Sequence, residues 1–294
     1  MDIFSAKTLT SKTCLKLGLI SVLFLLLFSP TYEALYRDWM FDDNHSHGIF
    51  VPFISLFLVW RNRKRIPWKK AQPSIIGLVI LISSLIVYLV GYAGGIFVLP
   101  RLAMVATLIG LLIYNLGKEV FKPLLFPIAF LVFMIPIPHS VLELVSLPLQ
   151  TLATVIAEQV IKDVFSLPVL REGNMLFFAT TSLEVAEACS GIRSLMTFLM
   201  LGSLFAHMYQ GPNRSKAIIF AMAIPLAVFT NLLRVIGTGV LAHFFGESIA
   251  KGFFHSFSGF AFFAVGFVLM VAIRRLIELI DSKREIRKAL VRQA

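Results

Sequence analysis

Residues 73–92 read PSIIGLVILISSLIVYLVGY, a run of 20 positions without a charged side chain. An α-helix needs about 20 apolar residues to cross a bilayer, so this run predicts a transmembrane helix. The whole chain has this character, because 58% of its 294 residues are hydrophobic. Only 15% are charged, against about 25% in soluble domains. A large soluble helical domain is therefore excluded, and we predict an integral membrane protein.

Apolar runs of this kind predict eight transmembrane helices in one polytopic membrane domain, residues 1–294. The predicted spans are 15–31, 48–60, 73–92, 96–116, 120–137, 191–209, 215–243 and 256–273. The seventh contains Pro225 and is predicted to be kinked or tilted. The first follows a lysine-rich start but lacks a small-residue cleavage site, which predicts an uncleaved signal anchor.

Lysine and arginine residues predict the orientation of these spans. With the N-terminus inside, 20 of the 27 basic residues fall in inner segments, including the tail 274–294. This asymmetry places both termini in the cytoplasm. The net charge of +11 then reflects topology and lipid headgroups, so we do not predict nucleic-acid binding.

The longest external segment in this topology is 138–190. Its first part, His139–Val164, has apolar residues at helical spacing with charged residues between them. This pattern predicts an amphipathic or re-entrant helix on the outer face, with a ninth partial span as the alternative. Glu172-Gly173-Asn174 is a turn signal between short apolar strands, which predicts a small β-hairpin before Cys189. The predicted fold class is thus an all-α integral membrane protein with one small β-element.

Cys189 is the thiol that is placed for chemistry. Ser190-Gly191 opens the sixth span, and a helix N-terminus offers free N–H groups and partial positive charge. Both raise the thiolate population, and Arg193 adds to the effect. Without this context, a buried structural cysteine would be the better interpretation. Cys14 lies on the opposite membrane face in this topology, so no disulfide is expected.

Arg234 lies within an otherwise apolar span. An arginine there costs at least about 2.5–3.5 kcal/mol, so it should face the protein interior or a wet cavity. At 1.5 Å per residue it lies about 15 Å from the outer end near His243, which is deeper than the thiol. Asn231, three residues back, shares its helix face. The structural alternative is an ion pair with Glu184 or Glu187.

His255 stands at the mouth of the eighth span, and His243 is its rival as proton carrier. A thiolate, a permanent cation and an imidazole together supply a nucleophile, an oxyanion stabiliser and an acid–base group. His45-Ser46-His47 has no third ligand nearby in the sequence, so we predict no metal site. No cofactor is predicted.

Three motifs together resemble the exosortase/archaeosortase family. They are Glu187-Ala188-Cys189-Ser190-Gly191-Ile192-Arg193-Ser194, Asn231-Leu232-Leu233-Arg234 and His255-Ser256-Phe257-Ser258-Gly259. The resemblance covers about residues 30–273, including Ser46-His47-Gly48, and it includes the eight-span layout. It implies that Cys189, Arg234 and His255 are catalytic. The supporting candidates beside them are Glu187, Ser190, Arg193, Asn231 and Ser256.

The resemblance also implies a function. Exosortases are polytopic cysteine transpeptidases of Gram-negative bacteria that process proteins with a C-terminal PEP-CTERM signal. That signal is a Pro-Glu-Pro-like motif, a transmembrane helix and a basic tail, and the family is associated with exopolysaccharide production. The implied active site lies at the periplasmic face of the inner membrane. The implied partners are membrane-anchored substrate proteins, lipids and a lipid- or glycan-linked acyl acceptor.

Two other functions remain open at this stage. A secondary transporter would also use buried charges and a broken helix, although no inverted repeat is visible. A purely hydrolytic intramembrane cysteine protease would use the same residues and differ only in passing the acyl group to water.

Overall fold

In the computed structural model, the described residues are 11–179, 181–185, 191–246 and 253–293. These residues form eleven α-helices, several short 3₁₀ turns and one small sheet. The helices are α1 (Ser11–Leu27), α2 (Ser29–Phe41), α3 (Val51–Asn62), α4 (Ile75–Ala93), α5 (Val98–Phe121), α6 (Leu125–Phe130), α7 (His139–Asp163), α8 (Ile192–Met208), α9 (Asn213–Ala221), α10 (Ala223–Phe245) and α11 (Phe253–Gln293). The strands are β1 (Val169–Glu172), β2 (Met175–Phe178) and β3 (Ser182–Glu184). The predicted helical membrane fold with a small β-element is confirmed.

Five helical segments of the described chain are long and apolar enough to cross a membrane. They are Ile75–Ala93, Val98–Met134, Ser140–Asp163, Asn213–Phe245 and Gly259–Ile286. A sixth candidate is the pair Gly18–Leu27 and Ser29–Phe41, which is bent by 60°. The structure thus has five to six candidate spans, against about eight predicted.

The difference from eight has two sources. The helices at the predicted spans 48–60 and 191–209 have only 12 and 17 residues, which is shorter than the other candidates. The predicted span 120–137 does not stand alone, because it joins the preceding helix in the segment Val98–Met134. Conversely, Ser140–Asp163 qualifies by length and composition, which favours the alternative of a further span within 138–190.

The chain divides into two compact units, which meet in sequence at Pro136 and Ile137. In the first unit, α4 and α5 form a close antiparallel pair. A Cβ atom added to Gly110 would lie 2.7 Å from the backbone nitrogen of Leu81, so glycine lets the two backbones approach. Ser84 Oγ and Thr107 Oγ1 are 2.9 Å apart and link the same two helices.

Polar side chains fasten the remaining helices of the first unit. Arg101, in the first turn of α5, is buried and paired with Asp38 of α2. Trp39 Nε1 donates a hydrogen bond to the carbonyl oxygen of Met134 at 2.9 Å. Arginine and tryptophan usually have polar partners when buried, and these bonds supply them.

The second unit is built around α10, which contacts α7, α8, α9 and α11. A Cβ atom added to Gly239 would lie 2.8 Å from Ile161 Cδ1 of α7, and one on Gly237 would lie 3.3 Å from Phe262 Cζ of α11. Gly266 of α11 similarly lies against Phe198 of α8. Small residues at these crossings let the four helices α7, α8, α10 and α11 approach one another closely.

The predicted hairpin forms. β1 and β2 pair antiparallel with Glu172 opposite Met175, and β3 adds a third strand beside β2. Gly173 has φ +60°, the left-handed value that the first position of a type II′ hairpin turn requires. Asn174 Nδ2 donates to Gln150 Oε1 at 2.9 Å, and Arg171 pairs with Glu158 at 3.1 Å. The hairpin is therefore fixed to α7.

A polar cluster fastens α11 to the turn between α8 and α9. Tyr209 and Ser215 donate hydrogen bonds to Asp281 Oδ2, at 2.8 and 2.6 Å. Burial raises the pKa of Tyr209 to about 12, and the bond to Asp281 acts in the same direction. Tyr209 therefore stays protonated, as a donor to a carboxylate must.

Candidate active site

The structure describes the predicted site residues to different extents. Cys189, Glu187 and Ser190 lie outside the described residues. His255 and Ser256 lie in the first turns of α11, where the helical backbone is described and the side chains are not. The candidates that are described with side chains are Arg193, Asn231, Arg234 and the rival His243, and Gly191 directly before α8 is described as well. The site is therefore built from α8, α10 and α11.

These three helices pack against one another. A Cβ atom added to Gly266 of α11 would lie against Phe198 of α8 and 2.8 Å from Thr230 Cγ2 of α10. Phe198, Leu226 and Met270, one from each helix, share a buried apolar cluster. The three helices that carry the predicted motifs thus form one packed group.

The N-terminus of α8 meets the middle of α10. Gly191 precedes α8 and has φ +81°, a left-handed conformation that residues with a Cβ rarely adopt. A Cβ atom there would lie 2.8 Å from Cγ of Asn231, whose side chain is buried. Gly191 is therefore required twice, by its backbone angle and by the neighbouring amide. This contact places the chain two residues after Cys189 beside Asn231, one helical turn from Arg234.

The contact fixes where α8 begins relative to Arg234 along α10. Linear counting placed Arg234 deeper than the thiol, on the assumption that α10 leaves the bilayer near its end. The structure instead has the N-terminus of α8 at the level of Asn231, with α10 continuing to Phe245, about 21 Å further. Arg234 and the start of α8 are therefore close to the same level.

The β-sheet packs on that continuing part of α10. A Cβ atom added to Gly239 would lie 3.4 Å from Phe178 Cζ of β2, and Leu183 of β3 is also close. The sheet therefore lies against the part of α10 that follows Arg234, with Gly239 five residues, or about 7–8 Å, further along the helix.

The two histidine positions lie at a distance from Asn231 along the helix axes. His243 follows Asn231 by twelve residues on α10, about 18 Å along the helix, and its ring centre is 5.9 Å from that of Phe178. On α11, Phe262 contacts Gly237, and position 255 is seven residues, or about 10 Å, toward the start of the helix. The described helices thus place position 255 near the level of His243. They bring together Gly191, Asn231 and Arg234, without either histidine position.

The two arginines of the site are half-buried. Arg193 lies in the first turn of α8 and Arg234 on α10, and each interacts with another group of the protein. Glu184, one of the ion-pair partners considered for Arg234, is exposed on β3. The other, Glu187, lies outside the described residues.

His45 and His47 lie in the segment between α2 and α3. Within the described ranges, no three histidine, cysteine or carboxylate side chains come together as metal ligands. His45 Nδ1 lies 2.8 Å from Asp42 Oδ2. Burial, followed by the nearby His45, lowers the pKa of His47 to about 4, so His47 is neutral at physiological pH. The contact of His45 with Asp42 is a local one, within the segment between α2 and α3.

The contact of Gly191 with Asn231 could not be derived from the sequence. The two residues are 40 positions apart, and neither lies in a local pattern that pairs them. The available signal was a glycine directly before an apolar run, which indicates a helix start and not its partner. Gly239 lies against the sheet, but nothing in the apolar run around it predicted that contact.

Together these features define a class: a polytopic helical membrane protein with a polar site where one helix begins beside an intramembrane arginine. A family model described as transmembrane exosortase (Exosortase_EpsH) matches residues 39–272. The chain belongs to this exosortase family. Cys189, Arg234 and His255 all fall inside the matched range. No curated protein and no solved structure matches the chain.

A first prediction concerns Gly191. Gly191→Ala should slow substrate processing at least about tenfold, because a left-handed alanine costs about 1–2 kcal/mol and its Cβ displaces Asn231. Processing and thermal stability in detergent should both be measured. The control is Gly18→Ala in α1, where no described atom lies within 4 Å of the added Cβ. Unchanged processing by Gly191→Ala would show that this turn does not matter for the site.

Proposed function

We propose that this chain is a membrane-embedded cysteine transpeptidase that cleaves and sorts proteins with a C-terminal PEP-CTERM-like signal. Membership of the exosortase family supports this activity. One structural observation carries the assignment of the site: Gly191 contacts Asn231, which brings the start of α8 beside the turn of α10 that bears Arg234. A nucleophile at Cys189 would then lie near a fixed cation.

The proposed reaction is an acyl transfer in two steps. The Cys189 thiolate attacks the scissile carbonyl, and Arg234 stabilises the oxyanion that develops there. The C–N bond breaks, the acyl group remains on sulfur as a thioester, and the leaving amine takes up a proton. An amine on a lipid or glycan then attacks the thioester, loses a proton and releases the thiol. Glu187, Ser190, Arg193, Asn231 and Ser256 are proposed to support these steps.

His255 is proposed to move the protons from the mouth of the site. Its position near the level of His243 is too far from Asn231 for direct contact along straight helices, so water would carry protons between them. An unperturbed histidine has a pKa near 6.5, which suits an acid that later acts as a base. The acceptor approaches from the same aqueous side in this scheme.

The test of the function is the product. The chain should be produced with a reporter protein that ends in a Pro-Glu-Pro-like motif, an apolar helix and a basic tail. Mass spectrometry of the released reporter should find a new C-terminus, joined to an amine for transpeptidation or ending in a free carboxylate for hydrolysis. An uncleaved reporter, with the chain folded in the membrane, would contradict the proposal and favour the transporter.

The proposed location is the inner membrane, with both termini cytoplasmic and the site at the periplasmic face. Reporters that are active only outside the cytoplasm should be fused after residues 65, 165, 212 and 294. The fusion at 165 should be active and the other three silent. The fusion at 165 is decisive, because Ser140–Asp163 is itself long enough to span. A silent fusion at 165 would place the sheet and the site on the cytoplasmic side.

The two histidines are distinguished by single substitutions. His255→Gln should lower turnover by about 10²–10⁴, the usual contribution of acid–base catalysis, and His243→Gln should retain most activity. Processing should be measured across pH, together with any substrate held as a thioester on Cys189. His243 has its ring against Phe178, so its variant also reports on packing. The opposite pattern would assign the proton carrier to α10.

A further inference from the structure

A narrow cleft adjoins the contact between Gly191 and Asn231. It lies between α7, α8 and α10, and its walls include Leu152 and Ala153 of α7, Leu195 of α8 and Ala227 of α10. Ala153 and Ala227 are buried, and their small side chains leave the space open. The free volume of the cleft is only about 20 Å³, so it has room for no more than a small side chain such as that of alanine.

The lining of the cleft indicates what it can hold. Asn231 supplies the polar side chain at one end, and the other lining side chains are all aliphatic. None of the described residues that line it is charged, so a charged group placed beside them would lose its hydration without a partner among them. An aliphatic side chain would instead gain about 25 cal/mol for each Å² of apolar surface removed from water.

The position of the cleft indicates how its occupant arrives. On α10 it extends from Asn231 toward the helix N-terminus, away from Gly239 and the sheet. Leu152 at its rim is 45% exposed and lies near the middle of the apolar segment Ser140–Asp163. An open sheet edge needs water or protein partners, so we take the sheet to mark the aqueous side. The cleft then lies on the hydrocarbon side of the site. A segment that enters it is already in the bilayer.

We propose that this cleft binds the substrate residues directly after the scissile bond, and that Leu152 limits their size. This inference rests on the proposed function. In that reaction, the acyl part of the substrate stays on the aqueous side and becomes bonded to Cys189. The leaving amine belongs to the segment that continues into the bilayer, and the cleft lies on that side of Gly191. Because the cleft is narrow, small aliphatic residues should be preferred there.

The test uses the full-length chain in membranes with reporters that differ only in the first two residues after the cleaved bond, which mass spectrometry locates. The residues are Ala or Phe, and the measured quantity is the ratio of the two processing rates. The wild type should favour Ala. Leu152→Ala should shift the ratio toward Phe by about tenfold, the scale of discrimination in apolar pockets, and Leu152→Trp should shift it the other way. A ratio within one variant does not depend on how much of that variant folds.

The matched control is Leu147, another exposed leucine of α7, which does not line the cleft. Leu147→Ala and Leu147→Trp should leave the ratio unchanged. Equal ratios in the wild type and both Leu152 variants, with Cys189-dependent cleavage intact, would overturn the cleft proposal and leave the proposed function standing. Loss of cleavage of every reporter by the folded wild type would instead overturn the proposed function.

Discussion

Cys189→Ala should reduce processing of a membrane-anchored substrate by at least about a thousandfold, because no other thiol can form the acyl intermediate at this site. Cys14→Ala is the matched control. Cys14 lies in α1, in the other compact unit, and should be dispensable. The two variants differ in the site of the lost thiol and not in its chemistry. The measurement is the amount of released reporter, normalised to the enzyme present in the membrane.

Further variants distinguish the nucleophile from its neighbours. Cys189→Ser should be nearly inactive, because a hydroxyl is a weaker nucleophile than a thiol at neutral pH. A membrane-impermeant thiol reagent should inactivate the wild type and Cys14→Ala equally, since both retain Cys189. A transporter would continue to work as Cys189→Ser. Full processing by Cys189→Ala would refute the cysteine mechanism and point to Ser190.

The sequence was sufficient where the physical cause is local. The apolar run 73–92 became α4, and the turn signal Glu172-Gly173-Asn174 became the turn between β1 and β2. Both depend on neighbours in the chain: hydropathy over about 20 residues in one case, and a glycine with positive φ in the other.

The sequence was insufficient where distant segments meet. Counting along α10 predicted that Arg234 lies deeper than the thiol, but it cannot show that the sheet packs on Gly239 or that α8 begins beside Asn231. Span ends were also unclear: α11 was expected to cross at 256–273, yet its helix continues to Gln293. Its tail is rich in Lys, Arg, Glu and Leu, which favour helix even where they leave the bilayer. Hydropathy locates the crossing and not the end of the helix.

Arg234→Lys should fail nearly as badly as Arg234→Ala, with processing lowered by about 10²–10³ in both. A guanidinium offers a rigid fork of N–H donors and remains charged in a partly buried setting, whereas an ammonium is a compact and strongly hydrated charge. Arg234 is half-buried one turn from Asn231, so geometry and retained charge both matter there. A structural ion pair would tolerate lysine better, because it requires a positive charge and not the paired N–H donors of a guanidinium.

The measurement must separate lost chemistry from lost folding. Processing, membrane accumulation and thermal stability in detergent should be determined for both variants beside Arg193→Lys, another half-buried arginine of the second unit. If Arg234 stabilises the oxyanion, both Arg234 variants accumulate normally and fail in turnover, while Arg193→Lys loses less. If Arg234→Lys processes substrate at the wild-type rate, the oxyanion role is excluded. Arg234→Ala could instead disappear from the membrane while Arg234→Lys is stable and active. Arg234 would then have a structural role in an ion pair, and backbone N–H groups at the start of α8 would have to stabilise the oxyanion.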